Sequence, residues 1–221
     1  MRKYDLVIFD MDGVLINSEG HYLKEIMVFL NDCYPNHGLK IEDLYVLIGK
    51  SWDEHYRIFA TLIDVDLCPK KLNDEFDAYQ RHVIRDYKTW MFKDVEGLLR
   101  LLKKDNYRIA LASNSSQAMI DRILAESEFE NYFEYTASGD QFLQGKPSPE
   151  IYLHIAHVFG VPSERILVIE DSESGIEAGV NAGCTVIALH DIFYSMNQSA
   201  AHGIIKDLTQ VDFILNESDL F

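Results

Sequence analysis

A chain of 221 residues, 48% hydrophobic and 25% charged, can bury a core of its own, as one large domain or two small ones, without disulfide or metal staples. Its 36 acidic residues against 20 basic ones give a formal net charge of −16, which sets it against nucleic acid and anionic membrane surfaces, since both recruit lysine and arginine. No apolar run reaches the ~20 residues of a membrane helix, the N-terminal residues lack a signal-peptide pattern, and the three cysteines, Cys33, Cys68 and Cys184, are odd in number and widely spaced. The expected setting is therefore a reducing, cytoplasmic one, with the cysteines as buried free thiols and no zinc site.

In chain order, residues 4–9 read as a buried strand. From Glu19 to Leu30 the apolar residues Tyr22, Leu23, Ile26, Met27, Phe29 and Leu30 recur at helical spacing, and more helical pattern covers 41–48, 52–63 and 69–87. The texture then alternates. A helix over 95–104 precedes a strand over 107–112, and a helix over 116–126 precedes a strand over 134–138. A helix over 148–159, with Pro149 in its first turn, is followed by a strand over 165–169. A helix over 173–182, strands over 185–189 and 203–205, and a helix over 208–215 complete the chain. This order predicts an α/β fold: a Rossmann-like parallel sheet with helices on both faces, formed by 1–16 and 89–221, and an all-α insertion over 17–88.

Four segments at predicted strand ends carry candidate chemistry, and strand ends are where open α/β sheets bind ligands. In the first, Asp10 and Asp12 lie two positions apart and share a face of an extended chain, followed by the turn at Gly13. Clustered carboxylates repel unless a cation such as Mg²⁺ holds them, and a carboxylate can also attack phosphorus while a second acid moves protons. In the second, Ser113 and Asn114 offer a hydroxyl, an amide and backbone N–H groups to a phosphate, while Ser116 suits a helix cap. In the third, Lys146 is an ammonium on a loop stiffened by Pro147 and Pro149, able to neutralise phosphate charge near Asp10. In the fourth, Glu170 and Asp171 end a strand and suit a hard cation, whereas Glu173 and Glu177 read as acids placed at a helix start.

Together and in this order, the segments resemble the haloacid dehalogenase superfamily of aspartate-nucleophile phosphotransferases, in the subgroup of β-phosphoglucomutase and small sugar-phosphate phosphatases. The resemblance covers nearly the whole chain. It implies Asp10 as nucleophile, Asp12 as general acid and base, and Ser113, Asn114 and Lys146 as phosphate ligands. It also implies Mg²⁺ held by Asp10, the Asp12 backbone carbonyl and Asp171, with Glu170 nearby or acting through water. The insertion over 17–88 would then be a helical cap that closes over the site and selects substrate.

The chain departs from the family pattern at three places. Where the family often has histidine ten residues beyond its second aspartate, this chain has Tyr22, and His21 beside it is turned by ~100° around a helix. Trp52 stands where the mutases place an arginine for a second phosphate, with Lys50 the nearest replacement cation, and residues 92–95 replace the usual Pro-Gly at the return to the core. The expected function is therefore a Mg²⁺-dependent phosphatase of a small phosphomonoester, such as a sugar phosphate, acting as a monomer through an aspartyl-phosphate. The tentative substrate contacts are His21, Lys50 and Trp52. A hexose-phosphate mutase using the same Asp10 adduct, and a catalytically silent phospho-ligand sensor, are the alternatives.

Overall fold

The computed structural model describes residues 2–48, 52–63, 69–190 and 196–216, with backbone only at 52–56 and 69. In chain order its elements are β1 (Leu6–Phe9), α1 (Ser18–Cys33), α2 (Trp52–Leu62), α3 (Pro69–Gln80), α4 (Val95–Lys104), β2 (Arg108–Ser113), α5 (Gln117–Ser127), β3 (Tyr135–Ser138), α6 (Glu150–Phe159), β4 (Ile166–Glu170), α7 (Glu173–Asn181), β5 (Thr185–Leu189), β6 (Gly203–Ile205) and α8 (Val211–Asn216). Two compact units divide the chain: residues 1–17 with 87–221, and residues 18–86.

The first unit is built on a six-stranded, wholly parallel sheet in the order β3-β2-β1-β4-β5-β6. Alternation along each strand sorts its side chains onto two faces. Val7, Phe9, Ile109, Leu111, Leu167 and Ile169 join one core cluster, and Leu6, Ile8, Ala110, Ala112, Ile166 and Val168 join the other. Both faces are thus covered, which explains why the strands read as apolar runs. On the second face the alanines let helices approach closely: a Cβ on Gly179 of α7 would lie 2.7 Å from Val186 of β5.

The second unit, over its described residues, is helical: α1, a short 3₁₀ helix at Ile41–Leu47, α2 and α3. Phe29 sits at its centre, its ring 5.1 Å from that of Phe76 and 5.3 Å from that of Tyr79. Arg85 closes the unit by gripping Glu25 of α1 through two nitrogens, at 2.7 and 2.6 Å.

The chain passes between the units along two strands of loop that pair with each other. Asn17 N–H donates to the Trp90 carbonyl at 2.9 Å and Phe92 N–H to the Leu15 carbonyl at 3.0 Å. Asn17 and the 3₁₀ turn Tyr87–Trp90 therefore belong with the core unit, and Tyr87 is buried in its cluster. The insertion spans 18–86 where the sequence pattern suggested 17–88.

Most elements lie where their periodicity places them. Helix α6 starts at Glu150, two residues later than expected, because Ser148 precedes Pro149 and is kept out of helical geometry. Ser148 instead closes a turn on the Gly145 carbonyl at 3.0 Å. The expected helix over 208–215 begins as a 3₁₀ turn, Leu208–Gln210, before α8. Cys33 is exposed rather than buried, since it ends α1 facing out, while Cys184 is buried and Cys68 lies outside the described residues. Among the described residues no helix is long and apolar enough to cross a membrane.

Candidate active site

Strand β1 lies between β2 and β4, and the chain winds outward from it in both directions. That reversal opens a crevice beyond the carboxyl ends of the strands. The Asp10 N–H continues the ladder to the Ile169 carbonyl at 2.9 Å, so the residues after β1 and β4 emerge side by side. Asp10, Asp12, Ser113, Lys146, Glu170 and Asp171 all come from these ends.

Lys146 is the organising cation. Its Nζ donates to Asp10 Oδ1, to Glu170 Oε1 at 2.7 Å and to the Ala112 carbonyl at 2.9 Å, which engages all three of its N–H bonds. Its side chain is 3% exposed, so it is not a solvated surface lysine. The loop that delivers it is anchored by Asn114, whose Oδ1 accepts the Lys146 backbone N–H at 3.1 Å. A Cβ on Gly145 would stand 2.9 Å from that same oxygen, so the loop lies flush against Asn114.

Glu170, fully buried, is a hub that accepts five donors. Oε1 takes Lys146 and the Tyr152 hydroxyl at 3.0 Å. Oε2 takes the N–H groups of Asp171 and Ser172 at 3.0 and 3.2 Å and the Ser172 hydroxyl at 3.1 Å. Ser172 also caps α7 by accepting the Gly175 N–H at 3.1 Å. The carboxylate rests on the helix start, where a Cβ at Gly175 would fall 1.7 Å from Oε1. Burial alone would lower the Lys146 ammonium, but Asp10 and Glu170 outweigh it and hold Lys146 well above its usual range. Burial pushes the Asp10 carboxyl upward, with Glu170 and Asp12 adding to it and Lys146 opposing.

The donor set fits a divalent cation. Asp10, Glu170 and Asp171 each bring a carboxylate oxygen within 4.8 Å of the others. Against these carboxylates the cluster sets the one ammonium of Lys146, an excess of negative charge among hard oxygen donors. The Asp171 carboxylate is seated on Gly13, where a Cβ would meet Oδ2 at 1.9 Å. Its backbone is held from the other side by buried Gln198, whose Nε2 donates to the Asp171 carbonyl at 2.6 Å and to the Leu189 carbonyl at 2.7 Å. The Asp12 side chain is not part of this group. Its Oδ2 accepts the hydroxyls of Ser115 at 2.9 Å and Ser113 at 3.3 Å.

The expected cap residues lie in the other unit. His21 is half-buried on α1, and burial together with Lys24 lowers its imidazole below the ordinary value. Trp52 begins α2, and Lys50 lies outside the described residues. Ser116 caps α5 by accepting the Met119 N–H at 3.4 Å. Four residues of the site were not singled out in the sequence: Ser115, Tyr152, Ser172 and Gln198. Tyr152 carried only the apolar period of a core helix, and Gln198 falls in a loop with no pattern, so neither announced its polar contact.

A doubly wound parallel sheet with a buried lysine-carboxylate cluster at its switch point places the chain among the ligand-binding α/β proteins. Residues 7–189 match the haloacid dehalogenase-like hydrolase family, and the chain belongs to it. Among curated relatives, it is 28% identical over 209 residues to a phosphorylated carbohydrates phosphatase of Thermotoga maritima, covering 89% of each chain. It is 26% identical over 190 residues to a phosphoglycolate phosphatase of Aquifex aeolicus, covering 83% of this chain and 84% of the relative. A crystal structure of a haloacid dehalogenase family hydrolase from Deinococcus radiodurans, with bound phosphate and sodium, superposes with a TM-score of 0.80 at 24% identity, covering 99% of this chain and 98% of that one.

Proposed function

We propose that the chain is a Mg²⁺-dependent phosphatase of small phosphorylated metabolites, sugar phosphates foremost, working through an aspartyl-phosphate on Asp10. The observation that carries the reading is the buried Asp10 carboxylate, held by Lys146 and set within cation-sharing distance of Asp171. The names of the relatives, for phosphorylated carbohydrates and for phosphoglycolate, support a small phosphomonoester as substrate.

Asp10, Asp171 and the Asp12 backbone carbonyl would hold the cation, which when bound offsets the charge of the phosphoryl oxygens. Glu170 acts through its neighbours: its five donors keep Lys146 and the Asp171 peptide in place. Ser113 and the N–H groups after β2 receive the phosphate, with Lys146 beside them. A carboxylate oxygen of Asp10 attacks phosphorus, and the bond to the ester oxygen breaks as Asp12 delivers a proton to it. In the second step Asp12 takes a proton from water, the water oxygen bonds phosphorus, and the bond to Asp10 breaks to give inorganic phosphate. Residues 18–86 would serve as a cap over this site, with His21, Lys50 and Trp52 as contacts that choose the substrate.

The test is phosphate release across hexose 1- and 6-phosphates and other small esters, with Mg²⁺ and with chelator, using Asp10→Asn as control. Mg²⁺-dependent release that disappears in Asp10→Asn is the expected result. Release that survives Asp10→Asn removes Asp10 as nucleophile, and isomer formation without net release assigns the chain to the mutases instead.

A further inference from the structure

Ser115 is fixed at both ends of its backbone. Its N–H donates to Ser113 Oγ at 3.0 Å, and its carbonyl accepts the hydroxyl of fully buried Ser138 at 2.7 Å. The peptide is therefore set independently of the Ser115 side chain, and the hydroxyl is delivered to Asp12 Oδ2 at 2.9 Å. Ser113 Oγ reaches the same oxygen from 3.3 Å, so two hydroxyls converge on one carboxylate oxygen.

The two hydroxyls have different futures in the reaction. Each carries a single proton. Ser113 lies where the phosphate is received, and donating its proton to a phosphoryl oxygen takes that proton away from Asp12. Ser115 is then the remaining hydroxyl on Oδ2.

We propose that Ser115 is a positioning residue for Asp12, holding Oδ2 so that Oδ1 faces the ester oxygen and, later, the attacking water. The proposal rests on Asp12 being the acid and base of the proposed phosphatase. No bond forms or breaks at Ser115. Its hydroxyl donates to Oδ2 whether Oδ1 carries the transferred proton or has given it up, so the hold persists through both steps.

The role has a signature that a merely structural serine lacks. An alkyl ester needs a proton on its leaving oxygen, whereas nitrophenolate departs without one. Ser115→Ala keeps both backbone bonds and removes only the hydroxyl. On a hexose 6-phosphate it is expected to lower kcat on the order of tenfold or more, since small displacements of a reacting group cost rate, and to leave KM within about twofold. On p-nitrophenyl phosphate the same protein is expected to release nitrophenol in a burst of about one equivalent and then slow, because attack proceeds while water activation lags. The burst also reports a folded site. Ser115→Thr, which keeps a hydroxyl, is expected to restore the hexose phosphate rate. A p-nitrophenyl phosphate reaction that shows no burst, a loss carried by KM, an unchanged kcat, or no recovery with threonine would overturn the proposal. Asp12→Asn separates the two levels: if it is inactive while Ser115→Ala is unaffected, the role of Ser115 alone fails. If Asp12→Asn is fully active, the reading of Asp12 fails and the positioning role falls with it.

Discussion

Gly13→Ala tests the site through a single methyl group. Gly13 has φ of +78°, a left-handed conformation that costs an L-residue about 1–2 kcal/mol. Its missing side chain is also where the Asp171 carboxylate sits, since a Cβ would stand 1.9 Å from Oδ2 and 2.5 Å from the carboxyl carbon. Ordinary contact begins near 3.4 Å, so the carboxylate must leave its seat beside Asp10. The backbone term lowers stability by about 1–2 kcal/mol, roughly 2–8 °C in Tm for a chain of this size. The displacement acts on function more severely, because an ångström of misplacement costs on the order of 100-fold in rate. Two readouts separate these effects. Mg²⁺ at about 100 times its Kd should stabilise the wild type by about 2.7 kcal/mol, roughly 5–10 °C in a thermal melt. In Gly13→Ala that Mg²⁺-induced shift should vanish and phosphate release should fall about 100-fold or more, while the metal-free melt remains a single cooperative transition. If the variant keeps the full Mg²⁺ shift and releases phosphate within about threefold of wild type, the seat of Asp171 on Gly13 does not matter to the cation.

Tyr152→Phe removes one of the five donors to buried Glu170 and should lower stability by about 2 kcal/mol, roughly 4–8 °C in Tm, measured by calorimetry. The KM for the best ester should be unchanged, because the ring that lies 5.3 Å from Lys146 Nζ is retained. Gln198→Ala removes the donor to the Asp171 carbonyl and should weaken Mn²⁺ binding about tenfold or more, read directly by paramagnetic resonance of the free ion. Cys184, whose thiol burial pushes up to about 12, should stay protonated and unlabelled by a disulfide reagent in the native protein, whereas Cys33 should be modified; peptide mapping distinguishes them.

The sheet could be read from the chain because its central strands are apolar runs buried on both faces, and such runs need no knowledge of their neighbours. Thr185–Leu189 coincides with its pattern for that reason. Boundaries set by tertiary pairing could not be read this way. Asn17 is tied to the core by Trp90, far along the chain, which accepts its N–H. The site divides along the same line. Asp10 and Glu170 stood out because charged residues at the ends of apolar strands are locally anomalous, and Lys146 because two prolines stiffen its loop. Tyr152, Ser115 and Gln198 did not, because a tyrosine in a core-facing helix stripe, a serine before a cap and a glutamine in a loop are locally ordinary. Glu170 was legible as an acid but not as a saturated one, since its five donors come from β4's own end, from α6 and from the Lys146 loop.

How an acidic chain would attract a doubly charged phosphate follows from how Lys146 is committed. A net charge of −16 repels the ester at a distance, so capture depends on local charge. Lys146 would supply it if its ammonium were open to the substrate, but all three of its N–H bonds already go to Asp10, Glu170 and the Ala112 carbonyl. Its charge is more than matched by two buried carboxylates before any ligand arrives. The protein groups alone therefore leave the crevice negative where phosphorus must approach Asp10. A divalent cation held by Asp10 and Asp171 would bring the three carboxylates and the ammonium to neutrality and so remove that repulsion. The cation and the lysine would then act together. The chelator arm of the phosphate-release assay thus probes substrate capture as much as the chemical step, and loss of Mg²⁺ should abolish turnover even at saturating ester.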